Sequence, residues 1–271
     1  MKSNENEIIY YTDELNEDFA KSSIIPVKID GNYKYIHKNL FWSIASFIMY
    51  RIIFMVPLSL YAKIKTNLEI KNRKVIKKCK NEGYFIYSNH TQEIIDTVLP
   101  TIVSFPKRVY VLAHPNNVSI KGMKTINKML GALPIPGDLE SSKKFLEAIR
   151  LRIKNKNVIS IYPEAHVWPY YTRIRNFKSV SFKYPVELDA PSFACTSTYK
   201  KVKCRKKPTL VVYVDGPFYP NKTLPIKEAQ EELRNQIYEV MKKRSLNSDM
   251  EYIKYVKLKD DNKIIKEKII K

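Results

Sequence analysis

Glycine is scarce, with six in 271 residues, and no G-x-G-x-x-G or G-x-x-x-x-G-K-[ST] string occurs. That argues against a phosphate cradle built from bare backbone. Cysteine is rarer still: Cys79, Cys195 and Cys204 contain no C-x-x-C pair. An odd, unpaired set points to a reducing compartment and away from a disulfide framework or a structural zinc site. Acidic residues are also in deficit. The 27 Asp and Glu face 48 Lys and Arg, leaving a formal charge of +21. Such a charge calls for anionic partners, whether nucleic acid, anionic lipid or phosphorylated small molecules. What the chain does have is apolar material, at 44% of residues. That suffices to bury a core in one or two domains and excludes a disordered polycation.

Four segments follow from composition: a polar arm (1–39), a membrane-associated helical segment (40–82), an α/β domain (83–250) and a basic tail (251–271). The arm is locally acidic, from Glu5 and Glu7 through Asp13, Glu14, Glu17 and Asp18. It reads as loosely ordered, with a short strand near Ile24–Ile29. No signal peptide precedes the first apolar run. That run, Leu40–Ala62, is long enough as a helix to span a bilayer core. Arg51 at its middle and Pro57 in its second half disfavour a plain spanning helix, because a mid-bilayer charge costs about 2.5–3.5 kcal/mol. An oblique or re-entrant helix lets Arg51 reach headgroups, with Trp42, Tyr50 and Tyr61 at the interface; a buried core helix is the alternative. The lysines and arginine that follow, from Lys63 to Lys80, place the downstream chain on the anionic cytoplasmic face.

Beyond residue 82, short β-rich runs alternate with helical stretches. Strands are expected at Tyr84–Ser88, Arg108–Ala113, Ala132–Pro136, Val158–Tyr162, Phe193–Tyr199 and Thr209–Val214. Helices are expected at about 66–82, 92–104, 120–130, 139–155, 177–188 and 226–244. Such alternation indicates an α/β fold with a mostly parallel sheet flanked by helices, whose sites form where strands end and helices begin. The tail 251–271 reads as a surface strand pair or a disordered basic end.

Two of those strand ends carry chemistry. Tyr84–Ser88 runs into Asn89-His90-Thr91-Gln92-Glu93-Ile94-Ile95-Asp96. A histidine at a strand's carboxyl end, with a carboxylate in the following helix, suits a general base whose tautomer the acid fixes. The other reading makes Asn89 or Thr91 a helix cap and His90 an ordinary turn residue. The second unit is Tyr162-Pro163-Glu164-Ala165-His166-Val167-Trp168, followed by Arg173, Arg175 and Lys178. Glu164 is placed to receive a hydroxyl or orient a cation, and the three cations to clamp a phosphate. An aromatic-rich surface loop with solvated charges is the alternative.

Taken together, the two units resemble the glycerolipid acyltransferase superfamily, whose best-known members are the 1-acylglycerol-3-phosphate acyltransferases. Asn89-His90 with Asp96 is similar to the family's N-H-x-x-x-x-D string, and Tyr162-Pro163-Glu164-Ala165 to its (F/Y)-P-E-G string. Gly131-Ala132-Leu133-Pro134-Ile135-Pro136 stands at the place of G-x-(I/L)-F-I-x-R. Phe177-Lys178 with Ala190-Pro191-Ser192 resembles F-K-x-G…P-I-V-P-V. The resemblance spans about residues 40–220. It implies that His90 deprotonates an acceptor hydroxyl, which attacks an acyl thioester of coenzyme A or acyl carrier protein. Backbone amides near the helix start would hold the oxyanion. Asp96 partners His90, and Asn89, Glu93, Glu164, His166, Arg173, Arg175 and Lys178 bind substrate. No cofactor or metal is implied, and the setting is phospholipid biosynthesis.

Four departures bear on those roles. Asp96 lies six positions after His90 instead of five, which on a regular helix rotates it by about 100°; a kink, a wider turn before the helix, or Glu93 in its place would restore contact, and Asp96 is favoured. Asp138 or its neighbours stand where the second block has arginine. Ala165-His166-Val167 replaces G-(T/S)-R, so a phosphate-bearing acceptor depends on Arg173, Arg175 or Lys178. His166 then reads either as a donor to the acceptor hydroxyl or as a residue packed on Trp168. There is no G-x-S-x-G elbow, and Cys79 lies apart from the motifs, so no acyl-enzyme is implied. Two other classes compete: a lipid-binding protein that keeps the fold without turnover, and a nucleic-acid binder. Lysine spread along the whole chain, without a recognition motif, disfavours the last. The expected partners are therefore anionic membrane lipids and the thioester donor, with no nucleic acid.

Overall fold

The computed structural model describes residues 7–20, 27–119, 122–203 and 205–258. In chain order the elements begin with β1 (Glu7–Tyr11), α1 (Leu40–Ile48), a π-helical turn (Met49–Phe54), α2 (Met55–Thr66) and β2 (Glu69–Lys71). They continue with β3 (Tyr84–Ser88), α3 (Ile95–Ser104), β4 (Val109–Ala113), α4 (Asn116–Ser119), α5 (Lys124–Met129) and β5 (Ala132–Pro134). The remainder is α6 (Leu139–Lys154), β6 (Val158–Ile161), α7 (Lys183–Leu188), β7 (Ser192–Lys200), β8 (Thr209–Phe218), α8 (Ile226–Ser245) and β9 (Ile253–Lys257).

Seven strands form one sheet in the order β2-β8-β7-β3-β6-β4-β5. All neighbours run parallel except β7 and β8, which form an antiparallel pair. Strand β3 is central, and all five of its residues are buried. Tyr84 and Ile86 face a core with Tyr50, Met55, Val98 and Leu99, while Phe85 and Tyr87 face one with Phe145, Ile149, Leu233 and Ile237. Burial on both faces explains why β3 reads as an unbroken apolar run and not as an alternating one. On α8 the buried residues recur every fourth position, Ala229, Leu233, Ile237 and Met241, so one stripe meets the sheet.

Leu40–Thr66 is continuous, and by length and composition it is apolar enough to cross a membrane. Pro57 cannot donate to the Ile53 carbonyl, and the π-helical turn lies just before it, where the Met55 amide reaches back to the Tyr50 carbonyl. One face of this helix packs on the domain. Tyr50, Met55 and Ala62 are buried, and the Tyr50 hydroxyl meets Thr101 Oγ1 at 2.7 Å and accepts from the Val109 amide at 3.0 Å. The other face presents Leu40, Phe41, Phe47, Ile52, Val56 and Ile64 outward, with Phe41 82% exposed. Arg51 turns back to the protein, donating to the Pro106 carbonyl.

Several expectations are corrected. The segment 66–82 is not one helix: β2 joins the sheet beside β8, and Arg73–Cys79 is a 3₁₀ turn. Left-handed Asn67 and Asn72 end one element and begin the next. Helix α3 begins at Ile95 and not at residue 92. The described residues of the arm are not loose, because β1 pairs with β9 and Tyr33 and Tyr35 enter the core. No strand forms over Val27–Ile29, and the rest of that expected strand lies outside the described residues, as do 120–121 of the helix expected at 120–130 and 259–271 of the tail.

Candidate active site

Parallel pairing of β3 with β6 sets Tyr87 against Ile161. Both strands leave the sheet at the same edge, so the two motif loops, 74 residues apart (164 − 90), emerge side by side. Several bonds stitch them together. The Trp168 amide donates to the His90 carbonyl and the Tyr170 amide to the Thr91 carbonyl, each at 3.0 Å. The His90 amide donates to Glu164 Oε2 at 3.1 Å.

His90 Nδ1 lies 2.8 Å from Asp96 Oδ2. The extra residue between them is absorbed before the helix starts: residues 89–94 are non-helical, and they wrap the carboxylate. Asp96 Oδ2 also accepts the Thr91 and Gln92 amides, both at 2.9 Å. Glu93 is exposed, and Asp96 is the acid that meets the imidazole. An ionised carboxylate can only accept, which places the proton on Nδ1 and leaves the Nε2 lone pair open. Nε2 makes no hydrogen bond among the described residues, and the His90 side chain is partly exposed while that of Asp96 is buried.

Glu164 is turned inward. Its Oε1 accepts the Arg175 amide at 3.0 Å and its Oε2 accepts Arg175 Nη2 at 3.1 Å, in addition to the His90 amide. Arg175 is 1% exposed, lies over Trp168 and also donates to the His166 carbonyl. Burial holds the Glu164 carboxyl above the ordinary glutamate pKa, with Arg175 and the two amides opposing the shift. This pair ties the second loop to the first.

An acyltransferase family model matches residues 67–197, a span that contains His90, Asp96, Glu164 and Arg175. Over that span the chain is similar to the acyltransferase family. Its fold is similar to the crystal structure of PlsC, the 1-acyl-sn-glycerophosphate acyltransferase of Thermotoga maritima. The TM-score is 0.53 at 15% identity, covering 78% of this chain and 89% of that one. A search of curated proteins finds no match.

Other residues expected at the site are placed differently. Asn89 is buried, its side chain donating to the Ser197 carbonyl at 3.1 Å and accepting the Ser197 amide at 2.8 Å, so it splices the loop to β7. Arg175 is engaged by Glu164 and cannot reach an exposed phosphate. Arg173 and Lys178 are exposed, the former over the Tyr171 ring. His166 lies 3.4 Å from Asp18 of the arm and is not packed on Trp168, whose ring neighbours are Tyr11, Phe19, Tyr171 and Tyr255. Asp138, at the place of a missing arginine, caps α6 by accepting the Ser141 amide at 2.7 Å. Ala165 sits at φ +64°, the left-handed region that the family's glycine adopts freely. The Thr91 and Gln92 amides are bound to Asp96, so an oxyanion would have to use later amides of the turn.

One functional neighbour was missed. Pro100 lies four residues after Asp96 and has no N–H, so the Asp96 carbonyl loses its helical partner. The Tyr162 hydroxyl fills that place, donating to the Asp96 carbonyl at 2.6 Å. This anchors the Tyr162 ring 4.4 Å from the His90 ring. A proline four residues beyond the acid is the signal that an outside donor is needed.

Proposed function

We propose that the chain transfers a fatty acyl group from a thioester of coenzyme A or acyl carrier protein to a hydroxyl of a glycerolipid such as 1-acylglycerol 3-phosphate. The observation that carries this reading is the His90–Asp96 contact, formed despite the extra residue, with Nε2 open to a substrate. His90 Nε2 takes the hydroxyl proton as the oxygen attacks the thioester carbonyl carbon. The C–S bond then breaks, and the thiolate leaves with the proton from the imidazolium. Asp96 steadies that imidazolium, and the dyad supplies about 10²–10⁴-fold. The amides that remain at the start of α3, beyond Gln92, are the proposed oxyanion donors. Arg173 and Lys178 are the exposed cations left to meet a phosphate on the acceptor.

The apolar face of Leu40–Thr66 supports membrane association. With its other face packed on the domain, this helix lies along the interface, and the positive chain rests on an anionic cytoplasmic leaflet. Thiol release from an acyl thioester, measured with a glycerolipid acceptor for the wild type and His90→Ala, tests the chemistry. Loss of activity in the variant supports the reading. Equal activity refutes it, and absence of activity in both favours a lipid-binding protein without turnover.

A further inference from the structure

The opposite end of the sheet holds a second assembly that the transfer reaction does not use. Arg108 immediately precedes β4, Lys128 and Arg152 lie in the last turns of α5 and α6, and Lys34 and His37 come from the arm. These five residues and Tyr33 line a cavity of about 100 Å³, walled on one side by Trp42, Ser43 and Ser46 of α1. His90 sits at the carboxyl ends of the parallel strands, and this cavity at their amino ends. Among its lining residues there is no Asp or Glu.

Several polar atoms here lack partners. Arg108 Nε, Arg152 Nε, His37 Nε2 and the Tyr33 hydroxyl are all buried without a hydrogen bond, and Tyr33 as a whole is only 8% exposed. Three of these, the two guanidinium Nε–H groups and the Tyr33 hydroxyl, are unmet donors, far from the usual satisfaction of buried polar groups. The neighbouring contacts fix them in place. Arg108 Nη2 donates to Ser46 Oγ at 2.6 Å and to the Met129 carbonyl at 2.7 Å. The Arg108 and Arg152 guanidiniums flank the Tyr110 ring at 5.1 and 4.3 Å, and Lys128 Nζ lies 4.1 Å from the Tyr33 ring centre. Burial and mutual repulsion push the pKa values of Arg152, Lys128 and His37 down, as expected where no anion balances them.

We propose that this cavity is a phosphate-binding site, separate from the acyl-transfer site, which takes a phosphate monoester or diester on Arg108, Arg152, Lys128 and Tyr33. Guanidinium forks and an ammonium match phosphate oxygens in charge and geometry. The cavity holds about three water volumes, enough for such a group. Its α1 wall continues into the exposed face of Leu40–Thr66, so the headgroup of an anionic phospholipid is one source. That source rests on the membrane reading above, whereas a soluble phosphate ester does not.

The full-length protein in detergent supplies the test. Trp42 lines the cavity, while Trp168, the other tryptophan, packs among β1, β9 and the second motif loop. Trp42 fluorescence is titrated with inorganic phosphate, and binding is measured to phosphatidylcholine vesicles with and without phosphatidylglycerol. The proteins compared are the wild type, Tyr33→Phe and a Lys128→Gln/Arg152→Gln double variant. Expected is a saturable phosphate response that weakens about tenfold or more in the double variant and less in Tyr33→Phe. Tyr33→Phe alters one atom, so it remains informative if the double variant fails to fold. The same order of binding to phosphatidylglycerol vesicles identifies the lipid source. A phosphate response with equal vesicle binding in all proteins identifies a soluble ester. Wild type that ignores every vesicle contradicts the membrane reading and leaves the phosphate arm standing. No phosphate response in the wild type, or one unchanged in both variants, overturns the site.

Discussion

The two ends of the sheet treat charge in opposite ways. At the carboxyl ends, the charged groups at the centre of the site are matched: His90 meets Asp96, and Arg175 meets Glu164. At the amino ends, Arg108, Lys128 and Arg152 converge with no carboxylate among them. A matched pair holds its members at one orientation and sets a proton in place, which suits a reacting group. An unmatched cluster stores unfavourable electrostatics that only an incoming anion relieves. The net charge of +21 is therefore unevenly used. Part of it is neutralised at the candidate active site, and part is left open at the other end of the sheet.

That contrast can be broken by substitution. The largest effect belongs to His90→Ala, expected to lower kcat by about 10²–10⁴-fold in the thiol-release assay, with the folded state intact by circular dichroism. Next is Glu164→Gln, which leaves Arg175 buried beside a neutral partner. About 3 kcal/mol of stability is expected to go, read from the denaturant midpoint. Tyr162→Phe removes the donor to the Asp96 carbonyl. It should cost about 1–3 kcal/mol and lower kcat more than it changes KM, because the His90 ring loses its neighbour's anchor. Ala165→Gly relieves a left-handed alanine and should raise stability by about 0.5–1 kcal/mol in the same unfolding experiment. The smallest change is expected for Lys128→Gln without phosphate. There the lost cation has no acid to leave stranded, and the midpoint should move by no more than about 0.5 kcal/mol. A Lys128→Gln loss as large as that of Glu164→Gln would erase the distinction between the two ends.

Much of this was legible in the residues. Alternating strand and helix patterns gave a mostly parallel sheet, and the two motif loops were expected at strand ends, where β3 and β6 deliver them. The spacing from His90 to Asp96 is a difficulty only for a helix that starts at residue 92, and a wider turn before the helix was one of the expected remedies. In the fold the helix starts at Ile95, and the free turn brings the acid round. Arg175 and Glu164 were both read as facing substrate. No periodicity marks a loop side chain as inward, and only tertiary packing under Trp168 buries them. Composition made the arm look loose, yet its aromatic residues Tyr11, Phe19, Tyr33 and Tyr35 dock it. The cation cavity was invisible because its members come from the arm, two helix ends and one strand start, which no local pattern connects.

The central claim is that His90 and Asp96 act as one unit. The direct measurement is kcat for thioester-dependent acylation in His90→Ala, Asp96→Asn and the double variant. A unit predicts that the double variant is no slower than His90→Ala alone, since Asp96 has nothing to orient once the imidazole is gone. Losses that multiply, or a His90→Ala rate equal to wild type, would contradict it.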